Sequence, residues 1–129
     1  MKTVILAVDD DPLMLKLIRD IGDKAGYEVI TAADGKQGVE AALKHKPALI
    51  LMDIMMPEMD GYAAVAQLKS QPETRGIPVI MLTAIGYEIN RALALKMGAS
   101  DYVTKPFDIK QLLALIKSRL ESGEGDGSR

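Results

Sequence analysis

The 129-residue sequence contains no cysteine, a single histidine and little excess charge of either sign. Without cysteine there can be no disulfide, no thiolate metal ligand and no thiol nucleophile, which fits a reducing compartment. His45 stands alone, near the expected C-terminal end of a helix, where its charge favours the helix dipole. A histidine dyad or a histidine-based metal cluster is therefore excluded. A net charge of −2 argues against nucleic acid as the main partner. The apolar run Val4 to Val8 ends in Asp9-Asp10-Asp11, so it is neither a signal peptide nor a membrane span. What the sequence does have is 48% hydrophobic residues in a length typical of one domain, enough for a sizeable core. These features lead to the expectation of a soluble, cytoplasmic, monomeric protein.

Short apolar runs alternate with longer segments of helical period along the chain. Val4 to Val8 has the pattern of a strand buried on both faces. Asp11-Pro12 opens a helix, with Asp as cap and Pro at the first helical position. Its apolar positions Leu13, Leu17, Ile18 and Ile21 recur at helical spacing, and Gly26 lies just beyond its end. Val29 to Ala32 is the second strand, Asp34 caps a helix ending near Lys46-Pro47, and Ala48 to Met52 is the third strand. A turn from Pro57 to Gly61 leads into a helix over about 62–70, followed by a fourth strand from Ile77 to Leu82. A helix from Tyr87 to Met97 stops at Gly98, Asp101 to Val103 forms a fifth strand, and Asp108 caps a last helix to about Glu121. Such βα units predict an α/β fold, a doubly wound five-stranded parallel sheet of the flavodoxin-like order 2-1-3-4-5. The domain is expected over 1–121. Residues 122–129 are Gly- and Ser-rich and are expected to form a flexible tail. With so little sequence after Lys117, no output domain is expected within these residues.

In an open parallel sheet a ligand binds beyond the carboxyl ends of the strands, where the strand order reverses. Asp9 and Asp10 follow the first strand directly, and Asp53 follows the third. Thr83 ends the fourth strand and Lys105 lies just past the fifth. Two carboxylates ~4 Å apart repel by roughly 4 kcal/mol at an effective dielectric near 20. Such a cluster must take up a proton or a cation. Hard oxygen ligands with no His or Cys nearby suit Mg²⁺, or Mn²⁺ in its place. A Mg²⁺ site beside a lysine is suited to phosphoryl groups, whose equatorial oxygens both cations neutralise. Asp11 needs no such role, because capping the helix explains it.

The ordered stretches Val8-Asp9-Asp10, Leu51-Met52-Asp53-Ile54-Met55-Met56-Pro57-Glu58-Met59-Asp60-Gly61, Leu82-Thr83-Ala84 and Gly98 to Phe107 resemble the receiver domain of response regulators. The resemblance covers residues 3 to about 120. It implies that Asp53 takes a phosphoryl group from a phosphohistidine on a sensor histidine kinase or histidine phosphotransfer protein. It implies that Asp10 holds Mg²⁺ directly and Asp9 chiefly through water, with the Met55 carbonyl completing the protein ligands. Lys105 would contact the acyl phosphate, Thr83 would move to hydrogen-bond it, and Tyr102 would turn inward behind Thr83. Lys105-Pro106 is expected to be a cis peptide. Phosphorylation would then bias the surface formed by the helix near 87–97, the fifth strand and the last helix toward an unidentified protein effector, without direct DNA binding. Gly86 would ease that movement. Met55 and Ile85, two positions past Asp53 and Thr83, are expected to overhang the acyl phosphate and, being apolar, to prolong its life.

Other features have plainer explanations. Most of the eight methionines fall in apolar runs and are core or rim residues, while Tyr27, Tyr62 and Tyr87 are packing residues. Gly35-Lys36-Gln37-Gly38 lacks the spacing of an ATP-binding phosphate loop. Asp9-Asp10-Asp11 formally fits the nucleophile motif of haloacid-dehalogenase-type phosphatases, but that reading leaves Asp53 unexplained. A passive interaction module would not need the acid pair, Thr83 and Lys105. A flavodoxin would not place three aspartates where a phosphate must sit.

Overall fold

Apolar runs too short for helices form the centre of this protein, and the three innermost are hydrogen-bonded to neighbours on both sides. In the computed structural model, which describes residues 2–56, 59–84, 96 and 98–126, five parallel strands combine with four helices among the described residues. The elements are β1 (Val4–Val8), α1 (Pro12–Lys24), β2 (Glu28–Ala32), α2 (Gly35–His45), β3 (Leu49–Asp53), α3 (Gly61–Lys69), β4 (Val79–Ala84), β5 (Asp101–Lys105) and α4 (Ile109–Asp126). The sheet order is β2-β1-β3-β4-β5, as the sequence predicts.

Side chains alternate across each strand, so the sheet divides the core in two. Ile5, Ala7, Leu49, Leu51, Ile80 and Leu82 face α1 and α4, which supply Ile18, Leu112 and Ile116. Leu6, Val8, Ile50, Met52, Val79 and Met81 face α2 and α3, which supply Val39, Ala42, Ala64, Val65 and Leu68. Each fully buried Leu or Ile contributes about 1.5–3 kcal/mol by leaving water. Tyr27 and Tyr62 pack against these clusters as expected.

Aspartate starts every described helix. Carboxylates of Asp11, Asp34, Asp60 and Asp108 accept hydrogen bonds from the backbone N–H groups of Leu13, Gln37, Ala63 and Gln111 at 3.0, 2.8, 2.9 and 3.1 Å. Each satisfies an N–H that the first helical turn leaves unpaired. Between α3 and β4, Lys69 Nζ donates to the carbonyls of Arg75 and Ile77 at 2.9 and 2.8 Å. Burial pushes that ammonium's pKa down, and its bonds to the two carbonyls tie down the loop that leads into β4.

Several boundaries differ from the sequence reading. Strand β4 begins at Val79 rather than Ile77, since Pro78 has no N–H for the ladder and contributes only its carbonyl, 3.0 Å from Ile50 N. It runs to Ala84, so Thr83 lies within the strand. Likewise β5 extends to Lys105, which pairs in register with Ala84. On α1 only Ile18, Ile21 and Gly22 are buried, whereas Leu13 is 76% and Leu17 41% exposed. Those two leucines face away from the sheet, so the helix has an apolar stripe wider than its buried face. Helix α4 continues to Asp126, past Gly123 and Gly125, where composition alone would end it. The expected helix over 87–97 and the proposed hinge Gly86 lie outside the described residues, Lys96 apart. No helix among the described residues is long and apolar enough to cross a membrane.

Candidate functional site

Sheet register builds the site. Val8 pairs with Met52, so the next residues, Asp9 and Asp53, leave the carboxyl edge side by side. Asp53 itself pairs with Leu82 of β4, which places Thr83 one residue further along the neighbouring strand. Lys105 ends β5 on the same edge. The topology therefore brings residues at the carboxyl ends of four strands to one edge of the sheet, beside the point between β1 and β3 where the strand order reverses.

Asp9 is held at three points. Its backbone N–H donates to the Ala32 carbonyl at 3.1 Å, its Oδ1 accepts from Asp11 N at 2.9 Å, and its Oδ2 accepts from Lys105 Nζ at 3.0 Å. The same ammonium lies 3.2 Å from Asp53 Oδ1. Asp9 is 1% and Asp53 6% exposed, while Asp10 projects into solvent. One carboxylate oxygen from each of Asp9, Asp10 and Asp53 lies within 4.8 Å of the other two.

One ammonium against three carboxylates leaves the cluster short of positive charge. Burial first, and then the negative charge of Asp9, raises the Asp53 pKa above the ordinary carboxylate value; Lys105 opposes this only in part. Burial acts to lower the pKa of Lys105, but its hydrogen bond to Asp9 and the charges of Asp9 and Asp53 outweigh burial and raise it. The site thus holds a protonated lysine and a buried carboxylate whose ionised form further positive charge would stabilise. All-oxygen donors, one exposed and two buried, fit a hard divalent cation such as Mg²⁺.

Of the residues singled out in the sequence, Asp9, Asp10, Asp53 and Lys105 form one cluster. Thr83 is 2% exposed at the end of β4, and Tyr102 is half-buried against the core on the α2–α3 side. The Lys105-Pro106 peptide is cis. Met55 is 57% exposed on the segment leaving β3. Ile85 lies outside the described residues.

Two structural contributors escape the sequence reading. Gly61 packs directly against the acid site: a Cβ there would collide with the Asp53 carbonyl oxygen and come within 2.8 Å of Ile54 Cα. Its N–H also donates to the Ile54 carbonyl at 2.8 Å. Asp60, read as part of a turn, caps α3 and so fixes where Gly61 sits. The pairing of a helix-capping Asp with a following Gly was the available signal.

An acidic cluster with a bridging lysine at the carboxyl edge of a 2-1-3-4-5 parallel sheet is the arrangement of CheY-like receivers. The response regulator receiver domain matches residues 5–117, and the chain belongs to that family. It is 40% identical over 116 residues to the DNA-binding dual master transcriptional regulator RpaA of Synechocystis, covering 90% of this chain and 48% of that protein. It is 39% identical over 124 residues to the alkaline phosphatase synthesis transcriptional regulatory protein PhoP of Bacillus subtilis, covering 96% of this chain and 51% of that one. The chain thus spans about half the length of these curated relatives. A putative response regulator from Chloroflexus aurantiacus superposes with a TM-score of 0.88 at 31% identity, covering 95% of this chain and 100% of that one. The receiver domain of a sensor histidine kinase from Pseudomonas aeruginosa, with magnesium coordinated in its active-site cleft, gives 0.86 at 34% identity, again covering 95% and 100%.

Proposed function

We propose that this protein is a phosphorylation-activated signalling switch of a two-component system or phosphorelay, with Asp53 as the phosphoacceptor. The observation that carries this reading is the cluster of Asp9, Asp10 and Asp53 around one lysine, at the sheet edge where the strand order reverses. An Asp53 carboxylate oxygen attacks the phosphorus of a phosphohistidine; the new O–P bond forms as the P–N bond to the imidazole breaks. Asp10 and Asp53 would hold Mg²⁺ with the Met55 carbonyl, and Asp9 would support it chiefly through water, as suits a carboxylate whose two oxygens already accept hydrogen bonds. Bound there, Mg²⁺ supplies charge neutralisation for the transferring group, and Mn²⁺ can substitute. Lys105 exchanges its contact with the Asp53 carboxylate for the acyl phosphate.

Phosphorylation adds charge and acceptor oxygens beside Thr83, whose hydroxyl gains a partner there. Tyr102 follows, and the surface of β5 and α4 shifts toward a form that binds a protein effector. The donor is a sensor histidine kinase or histidine phosphotransfer protein. Exposed Leu13 and Leu17 on α1 support contact with such a protein, next to a groove of about 430 Å³ lined by Leu17, Asp20, Ile21, Lys24, Ile109 and Leu113. We place the protein in the cytoplasm as a monomer that acts through protein contacts.

Acetyl phosphate with Mg²⁺ tests the chemistry. The expected result is a mass gain of one phosphoryl group that EDTA prevents and Asp53→Ala abolishes, while Asp9→Ala retains a residual fraction. Loss in Asp9→Ala with retention in Asp53→Ala would instead indicate a phosphatase of the haloacid-dehalogenase type.

A further inference from the structure

Gly35-Lys36-Gln37-Gly38, which is no phosphate loop, opens α2, and both glycines are buried. Two hydrogen bonds fix this end of the helix: Asp34 Oδ1 accepts from Gln37 N at 2.8 Å, and Gln37 Oε1 accepts from Ala33 N at 3.3 Å. One turn further on, a Cβ at Gly38 would stand 2.8 Å from Val8 Cγ2, so α2 lies close on β1. Gly35 meets a different neighbour. A Cβ there would stand 2.5 Å from the Met59 carbonyl oxygen, and 3.0 and 3.1 Å from Met59 Cγ and Cβ. The nearest of these atoms is backbone, which cannot rotate aside as the end of a side chain can. Met59 precedes Asp60, which caps α3, and Gly61, whose N–H donates to the Ile54 carbonyl at 2.8 Å. Gly61 also packs against the Asp53 carbonyl. Two close contacts, two residues apart in the chain, therefore join the start of α2 to the backbone of Asp53.

We propose that Gly35 is a positioning residue for the acid site: because it carries no side chain, the Met59 carbonyl seats on the start of α2, and that seat holds the turn through Gly61 against Asp53. The inference rests on the reading of Asp53 as the phosphoacceptor beside Mg²⁺. A methyl group at residue 35 must displace either α2 or Met59. The helix is tied down by its cap and by the fit of Gly38 on the fully buried Val8, so Met59 is the part that gives. Its displacement passes through Asp60 and Gly61 to Asp53 and Ile54, which lead directly into Met55. Mg²⁺ demands near-ideal octahedral geometry from its oxygen ligands, so a small shift of Asp53 relative to Asp10 weakens its binding. Asp9 follows β1 and Lys105 ends β5, so their ion pair stays in place and the chemistry itself is spared.

The test compares the unmutated full chain with Gly35→Ala and Gly22→Ala by thermal melting in EDTA, calorimetric titration with Mg²⁺ alone, and phosphoryl uptake from acetyl phosphate over a range of Mg²⁺. Gly22 is the comparator because a Cβ there would collide with Val29 Cγ2, on the opposite face of the sheet from Met59. Gly35→Ala is expected to bind Mg²⁺ about tenfold more weakly, the scale on which residues behind metal ligands act. Its uptake should half-saturate at correspondingly higher Mg²⁺, with the rate at saturation within about twofold of the unmutated chain. Gly22→Ala should melt lower yet bind Mg²⁺ as the unmutated chain does. Met59→Gly alters a half-buried side chain, leaves Gly35 in place and loosens the seat. It should bind Mg²⁺ about threefold more weakly, from the added backbone freedom of one glycine. Full Mg²⁺ affinity in Gly35→Ala or in Met59→Gly, or an equal loss of affinity in Gly22→Ala, would overturn the proposal; if Gly35→Ala does not fold, Met59→Gly decides it. Absence of both Mg²⁺ binding and phosphoryl uptake in the unmutated chain would overturn the reading of the site itself, and this proposal with it.

Discussion

Asp53→Asn is expected to melt higher than the unmutated protein in EDTA and lower than it in saturating Mg²⁺. Burial and the charge of Asp9 disfavour the ionised Asp53 side chain in the folded state, and Lys105 offsets this only in part. Asparagine removes the unfavourable charge and leaves Lys105 paired with Asp9. The expected gain without metal is about 1 kcal/mol, or about 4 °C for a domain of this size. With Mg²⁺ at 100 times its dissociation constant, the unmutated protein gains about 2.7 kcal/mol that the variant largely forgoes. The pH dependence has a definite sign. Between the unfolded and the raised folded pKa of Asp53, the folded state binds more protons, so stability falls as pH rises through that window. The advantage of Asp53→Asn in EDTA should therefore shrink as pH falls through the same window. Calorimetric melting with and without Mg²⁺ at several pH values checks both effects. An unchanged order of melting temperatures would mean that Asp53 and the metal do not interact.

Gly61→Ala is expected to cost about 3 kcal/mol, or about 10 °C in melting temperature, and to depress phosphoryl uptake as well. The added methyl meets backbone, the carbonyl of Asp53 and Cα of Ile54, rather than the end of a side chain that could rotate away. Relief requires moving either the start of α3 or the end of β3, and the second displaces Asp53 from Lys105. Gly76→Ala is the control, because a Cβ there has nothing within 4 Å; it should stay within about 0.5 kcal/mol. Thermal melts of both variants, followed by the acetyl phosphate assay, separate lost stability from a misplaced acceptor. Equal melting temperatures for the two variants would contradict the packing account.

The sheet was legible because a strand buried on both faces is written as an unbroken apolar run, as in Val4 to Val8 and Leu49 to Met52. Where polar residues interrupt those runs at one end, the sheet's carboxyl edge can be located, which is why Asp9, Asp10, Asp53, Thr83 and Lys105 could be assigned one address. Their contacts could not be read. That Lys105 pairs with both Asp9 and Asp53 depends on register, and Val8 opposite Met52 is a property of the folded sheet. Helical period placed Leu13 and Leu17 with Ile18 and Ile21, but period alone does not distinguish an apolar stripe that meets the sheet from one that meets solvent. Gly61 illustrates the limit most clearly. Its sequence context announces a turn, while the reason it must be glycine is a backbone brought in from another element.

Chemical mapping of the phosphorylated residue tests the central assignment most directly. Borohydride reduces an aspartyl phosphate to homoserine, so after treatment with acetyl phosphate and Mg²⁺ the peptide containing residue 53 should carry homoserine at that position. The same peptide from EDTA-treated protein should keep aspartate. Homoserine at another aspartate, conversion that ignores the metal, or no conversion under any donor would contradict a carboxylate cluster built to let Asp53 take up phosphorus.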